Sequence, residues 1–476
     1  MTLIYLIVAL LIVVSLFVNK NKLINISLIS LFVFLQWSYT IYACFHFRST
    51  EFEFFTFDSL GVLLLIVLSV ISIPAMIHSL IYLKNNNEET PQSRGIYFAA
   101  IVGLITAIGA GYLSNHIAVI WIFTELTTLC ASALIYHHRN KLALEGTWKY
   151  IFICAISITF IFIGILFLSL SLQHAGSDDL SFKNLLANAS KLNPFWLQLA
   201  FLFIFTGFTA KLGLVPMFTA GIDAKDNAPG PAAALLSSVL VNLGFVGIFR
   251  FYIIVANTSL HQWANMIIGI AAVLSIFVAT VYMIKVKNIK RMFAYSGIEH
   301  MGLVMLGIAA GGIGYYAAVL HIVLHALTKS SLFFQYSQLK KVFHTKNIYH
   351  IGNYFKYNAT GAMVLLFGFI CATAMPPSGL FVSEFLIFKS LFAANQVIVL
   401  ILVLLLLTMI IWAFGKNMFK MLFIPVIGMD EQNVPSISPW ESATQLILLT
   451  ASVYLGLNPP QEFVQLINES IMLLPI

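Results

Sequence analysis

Apolar runs of about 20 residues, each closed by a short polar loop, recur along the whole of this sequence. Such a run is long enough, as a helix, to cross the roughly 30 Å hydrocarbon core of a bilayer. The strands of a membrane barrel would instead show alternating segments of about ten residues, so the pattern predicts helices. Spans are expected near 2–18, 23–43, 59–83, 96–113, 116–136, 150–172, 195–220, 232–255, 263–284, 292–310, 314–337, 358–393, 396–423 and 440–457, about fourteen in all. Composition points the same way, because 60% of residues are hydrophobic and 9% charged, whereas soluble domains carry about 25% charge. The expectation is an all-α polytopic membrane protein with no soluble domain. The first run, Met1 to Val18, has no small-residue cleavage site and reads as a retained helix.

The formal net charge of +7 does not imply nucleic acid, because the basic residues fall in loops beside spans, where topology accounts for them. One set of alternate loops holds Lys20, Lys22, Lys84, Arg94, Arg139, Lys141, Lys149, Lys225, Lys285, Lys287, Lys290, Arg291, Lys340, Lys341, Lys346, Lys356, Lys416 and Lys420. The other holds only Arg48, Lys183, Lys191 and Arg250. The first set is expected to face the cytoplasm, which puts both termini on the non-cytoplasmic side of the cell (inner) membrane. Cys44, Cys130, Cys154 and Cys371 stand singly, without metal-ligand spacing, so no disulfide, cluster, metal or other cofactor is expected.

Two spans contain helix breakers. The seventh runs into "AKLGLVPMFTAGIDAKDNAPGP" with Pro216, then Pro229 and Pro231, and the twelfth is split by "MPPSG" at Pro376 and Pro377. Proline in an intramembrane helix frees carbonyls that neighbours or water must satisfy, so such breaks are tolerated where they line a cavity. Breaks at corresponding places in two halves suggest inverted repeats. The chain then divides into N-terminal helices 1–3 (1–95), a first five-helix repeat of helices 4–8 (96–256), a second of helices 9–13 (257–424), and helix 14 with a tail (425–476).

Ionisable residues inside the spans follow the same division. Glu125 lies in span 5 and Lys211 in span 7, with Glu299 and His300 in span 10. His321, His325 and Lys329 recur every four residues on one face of span 11, and Glu384 and Lys389 follow the break in span 12. A central Asp, Lys or Arg costs about 2.5–3.5 kcal/mol on insertion scales, and such residues mark ion paths or proton relays. Under the repeat, Glu125 corresponds to Glu299 and Lys211 to Glu384. A carboxylate held close to a lysine stabilises its charge, and separating the two releases the proton. Structural readings stand beside this one: Glu125 and Lys211 as a static pair, the histidines as packing residues, Lys389 reaching for an interface. Glu145 and Asp223 lie at the expected cytoplasmic boundary, where solvation accounts for them.

Several of these segments together resemble the antiporter-like membrane subunits of respiratory complex I, Mrp antiporters and group 4 hydrogenases. "WIFTELTTLCASALI" resembles that family's fifth helix, and "TAKLGLVPMF" with "APGPAAALLSSVLVNLGFVGIFRF" its seventh and eighth. "NIKRMFAYSGIEHMG", "HIVLHALTKSSLFF" and "MPPSGLFVSEFLIFKS" resemble its tenth, eleventh and twelfth. "AYSGIEHMGLV" and "LEGTWKYIF" look most like hydrogenase-4 component F. The resemblance implies fourteen helices with helices 7 and 12 broken, and a hydrated polar axis along the membrane midplane. Glu125 and Lys211 would gate one half; His321, His325 and Lys329 would form the relay of the other, ending at Glu384. It departs at Asn242, where a lysine or histidine is common and where an amide cannot titrate, and at "FTAGIDAKD", which keeps Asp223 and Ala224 but loses the usual histidine, tryptophan and proline.

The function implied is proton movement in a multisubunit redox complex of hydrogenase-4 or complex I type. The chain would have no redox centre of its own, and membrane and peripheral subunits would be its partners. An Mrp-like cation/proton antiporter subunit, moving Na+ as well, is the alternative, and a non-transporting scaffold a third reading.

Overall fold

The computed structural model describes residues 1–84, 90–174, 176–426 and 435–475. Three helices lead the chain: α1 (Thr2–Val18), α2 (Lys22–Phe45) and α3 (Ser59–Lys84), with a hairpin of β1 (Thr50–Glu51) and β2 (Phe55–Thr56) between the last two. Then come α4 (Pro91–Leu113), α5 (Ile117–Ile135), α6 (Lys141–Gln173), the short α7 (Phe182–Ala187), α8 (Pro194–Leu212), α9 (Thr219–Asn227), α10 (Gly230–Ser237) and α11 (Val239–Ala256). The rest comprises α12 (His261–Ile284), α13 (Ile289–Ala310), α14 (Ile313–Phe343), α15 (Tyr354–Tyr357), α16 (Ala359–Ala372), α17 (Gly379–Ala393), α18 (Val397–Phe423), α19 (Ala443–Leu457) and α20 (Gln461–Ile471).

Eleven helical stretches among the described residues are long and apolar enough to cross a membrane, with Gly230–Ala256 taken as one. Adding α1, the α16–α17 pair and α19 gives about fourteen crossings, as expected from the apolar runs.

Polar caps set the helix ends. Asn193 accepts from the Phe195 and Trp196 amides with Pro194 in the first turn, and Ser378 accepts from Phe381. These are groups that the first turn leaves unpaired.

The seventh crossing breaks at 213–218 and the twelfth at 373–378. At the first break Gly213 takes φ +88°, which few side chains tolerate, and Pro216 follows. The freed Val215 amide donates to Ser275 Oγ on α12 at 2.9 Å. The eighth crossing holds an interruption that the apolar pattern did not predict: Ser238, between α10 and α11, leaves helical geometry at φ −113°, ψ −86°. Ser237 and Ser238 both donate to carbonyls four residues back, Ala233 and Ala234 at 2.7 Å each, and such bonds bend helices.

Helices α13 and α14 are buried along their apolar windows and form the centre, whereas α12 and α18 show large apolar side chains outward, among them Phe277, Leu405 and Ile398. In water such a surface would be a liability; in a bilayer it meets lipid or another subunit. The most extensive helix packing joins α6 to α8. A Cβ on Gly207 would lie 2.5 Å from the Ser157 carbonyl oxygen, so only glycine permits that approach.

Candidate functional site

Lys211 sits on the last turn of α8, directly before the break, and is buried. Its ammonium donates to Thr128 Oγ1 on α5 at 2.8 Å and to Tyr150 OH on α6 at 3.1 Å. Thr128 in turn donates to the Thr124 carbonyl at 3.3 Å, which leaves its oxygen free to accept. Glu125, one turn earlier on α5, is half-buried, and its Oε2 is enclosed without a hydrogen-bond partner. The direct Glu125–Lys211 contact expected from the sequence is therefore not made: no ion pair within 4.0 Å joins them, because two hydroxyls already hold the ammonium.

The second half is more tightly connected. His300 Nε2 faces the Ala372 carbonyl at 3.0 Å, an acceptor left over where α16 stops at the break. His300 Nδ1 lies 3.1 Å from His321 Nε2, and His321 Nδ1 lies 2.9 Å from Ser383 Oγ on α17. Glu299 and Glu384 place carboxylate oxygens 3.9 and 3.7 Å from His300 Nδ1. Lys329, one helical turn beyond His325, donates to Ser296 Oγ on α13 at 2.7 Å and to the Phe293 carbonyl at 3.4 Å. His325 is wholly buried, with both ring nitrogens unpartnered and its ring centroid 5.3 Å from that of His300.

The proton count of the histidine pair depends on one hydroxyl. A carbonyl only accepts, so His300 Nε2 carries hydrogen. Ser383 can donate to His321 Nδ1 or to the Leu380 carbonyl at 3.0 Å. In the first arrangement both rings are neutral and His321 donates to His300. In the second, His321 Nδ1 donates to Ser383, His300 Nδ1 donates to His321, and His300 is an imidazolium facing two carboxylates. The two arrangements differ by one proton, which is what a relay station needs. Donor atoms of His300, His321 and Glu384 all lie within 4.8 Å of one another, a spacing that a metal ion could also bridge.

Three sequence readings change on the structure. Lys389 is exposed on α17, outside the buried line. Asp223 does more than meet solvent: it pairs with Arg291 at 2.6 Å within a cluster where Asp226 binds Arg291 and Lys346 at 3.0 and 2.7 Å. Lys225 and Lys290, counted among the loop cations, are buried. Lys290 caps α9 by donating to the Asp226 and Ala228 carbonyls at 2.8 and 2.5 Å. Asn242 is fully buried in α11, and neither amide atom has a hydrogen-bond partner. The sequence reading passed over Thr128, Tyr150, Ser296 and Ser383, which hold the titratable groups; as hydroxyls among many, they carry no signal of their own.

A polytopic helical membrane protein with two broken crossings and a buried row of lysines, histidines and carboxylates is an ion-path protein by architecture. Residues 114–410 match the family model described as "NADH:quinone oxidoreductase/Mrp antiporter, TM", and the chain belongs to that family. It is 27% identical over 376 residues to the hydrogenase-4 component F homolog of Methylacidiphilum infernorum, covering 78% of this chain and 79% of that one. The fold is shared with a chain of the membrane-bound sulfane sulfur reductase, an archaeal respiratory membrane complex, at TM-score 0.84, 20% identity and coverage of 98% and 96%. It is shared equally with a chain of the Mrp complex from Dietzia sp. DQ12-45-1b, at TM-score 0.85, 13% identity and coverage of 99% and 96%.

Proposed function

We propose that this chain is the proton-translocating membrane subunit of a multisubunit redox complex of hydrogenase-4 or complex I type. The observation that carries the reading is the set of buried ionisable groups from Lys211, at one broken crossing with half-buried Glu125 on α5, to His321, His325, Lys329, Glu299, His300 and Glu384 at the other. Unpaired or hydroxyl-bound ionisable groups in a membrane interior are costly, and they are retained where a proton moves. Packing supports the two repeats, 96–256 and 257–424: α4 meets α5, α5 meets α6 and α6 meets α8, while α12 meets α13, α13 meets α14 and α14 meets α17.

In this reading the separated Glu125 and Lys211 are the open position of a switch. Approach of the carboxylate stabilises the ammonium, and withdrawal lets its proton leave toward the second half. Electron transfer takes place in partner subunits, whose redox steps drive the movement. The chain lies in the cell inner membrane with both termini outside the cytoplasm.

The test uses the purified complex in sealed vesicles, with Glu125→Gln and Lys211→Met variants. Each is expected to keep assembly and electron transfer while redox-driven proton uptake falls at least tenfold. Wild-type uptake in both variants rejects the assignment.

A further inference from the structure

Asn242, where the resemblance implies a lysine or histidine, is buried, and its unpartnered amide offers no charge to carry a proton onward. Another titratable group shares a space with Lys211. Lys225 lies on α9, the segment beyond the first break, and is 6% exposed. Among the described residues its ammonium makes no hydrogen bond or ion pair, although an unpaired buried cation is among the most costly groups a membrane protein can hold.

Its surroundings are specific. Lys225 and Lys211 line the same enclosed space of about 20 Å³, closed by Tyr150, Gly213, Leu240 and Ile298. About 10–15 Å³ holds one water molecule. Ile298, part of that lining, follows Gly297 on α13, where an added Cβ would stand 3.9 Å from His325 Nε2, so the space reaches the helix face beside the His325 ring. Elsewhere on α9, Asp223 and Asp226 are pinned to Arg291 and Lys346, and the helix end is held by Lys290. Those contacts fix the rotation of this nine-residue helix and hold Lys225 inward.

We infer that Lys225 is the bridging proton carrier of this chain, taking the proton from Lys211 and passing it to the His325–Lys329 side around Asn242. One N–H bond of the Lys211 ammonium breaks, the proton crosses a single water, and an N–H bond forms on the neutral Lys225 amine. One N–H bond of the Lys225 ammonium then breaks, an N–H bond forms on the unprotonated ring nitrogen of neutral His325 to give its imidazolium, and Lys225 returns to the neutral amine. This inference rests on the proton-translocating reading proposed above.

The test is redox-driven proton uptake by the complex in vesicles, with Glu125→Gln and Lys211→Met run alongside. Lys225→Met is expected to cut uptake at least tenfold with electron transfer retained, and Lys225→His to restore most of it. Because histidine titrates near 6.5 and lysine near 10.4, the pH optimum of Lys225→His is expected to move to lower pH, which a merely structural lysine would not cause. Adding Asn242→His to Lys225→Met is expected to recover uptake by supplying a titratable group at position 242. Wild-type uptake in Lys225→Met overturns the inference, as does a loss that neither Lys225→His nor the double variant recovers. Should Lys225→Met fail to assemble, Lys225→His alone decides, and an unchanged pH profile overturns the inference. If the Lys211 and Glu125 variants also pump normally, the proposed function itself falls; if they are blocked while Lys225→Met pumps, only the bridge does.

Discussion

Lys211 donates to two hydroxyls rather than to a carboxylate, and one of them, Thr128, is aimed by its own bond to the Thr124 carbonyl. A hydrogen bond to a charged group contributes about 1.5–3 kcal/mol. Thr128→Val should therefore lower the melting temperature of the purified protein and reduce proton uptake, whereas Thr128→Ser should keep both near wild type; equal loss in the two variants would assign the effect to packing. Outside the spans, Glu51 accepts from the Thr2 amide and Tyr42 OH, both at 2.8 Å. Burial alone would raise its titration point, but these donors outweigh it and hold the carboxyl at about 2. A group lowered on folding contributes stability above its unfolded value, near 4.3. The stability difference between wild type and Glu51→Gln should thus be full at pH 6 and shrink from pH 4 toward pH 2, followed by thermal unfolding in detergent. These groups were legible in unequal measure. Span charges such as Glu125 and Lys329 announce themselves by their cost in an apolar run, but nothing in the run says which hydroxyl will face them.

At the scale of elements, prolines foretold the breaks in the seventh and twelfth crossings, because the ring removes a helix hydrogen bond and clashes with the carbonyl four residues back, although Pro74 alone is carried inside α3. The bend at Ser238 was not legible. Serine back-bonding is weak enough that neighbouring helices decide whether the backbone yields. The α6–α8 contact depends on Gly164 and Gly207, each facing the other helix, and a Cβ on Gly207 would meet backbone. Gly207→Val is expected to destabilise by about 1–3 kcal/mol, the usual range for overpacking. Gly269→Ala, where the nearest side-chain atom is 3.9 Å away, should leave the melting temperature unchanged. Similar shifts in both would remove the argument for a tight α6–α8 seam.

For the whole molecule, the surplus of basic residues in alternate loops does not depend on Lys225 and Lys290, and the orientation proposed from it puts both termini outside the cytoplasm. A reporter enzyme active only outside the cytoplasm, fused after Ile476, is expected to be active; activity of a cytoplasmic reporter at that position would invert the topology. Helices α13 and α14 form the buried centre and carry Glu299, His300, His321, His325 and Lys329, whereas α12 and α18 turn large apolar side chains outward. Ionisable groups in the membrane interior are tolerated only where protein or water surrounds them, so the centre of the bundle is where a path can lie.

By itself the sequence determined the helices, their approximate number, the two proline breaks and the identity of the interior charges, because each follows from local properties: run length against bilayer thickness, ring geometry, and the cost of charge in hydrocarbon. Tertiary structure alone decided which groups meet. His300 finds the Ala372 carbonyl only because a break in another helix leaves it unpaired, and Lys211 finds Thr128 only because α5 and α8 both pack against α6. Lys225 reads as a loop cation until the rotation of α9 is known. A nine-residue helix between two breaks can present any of its faces to the interior, and ion pairs to residues more than 60 positions away settle which one it presents.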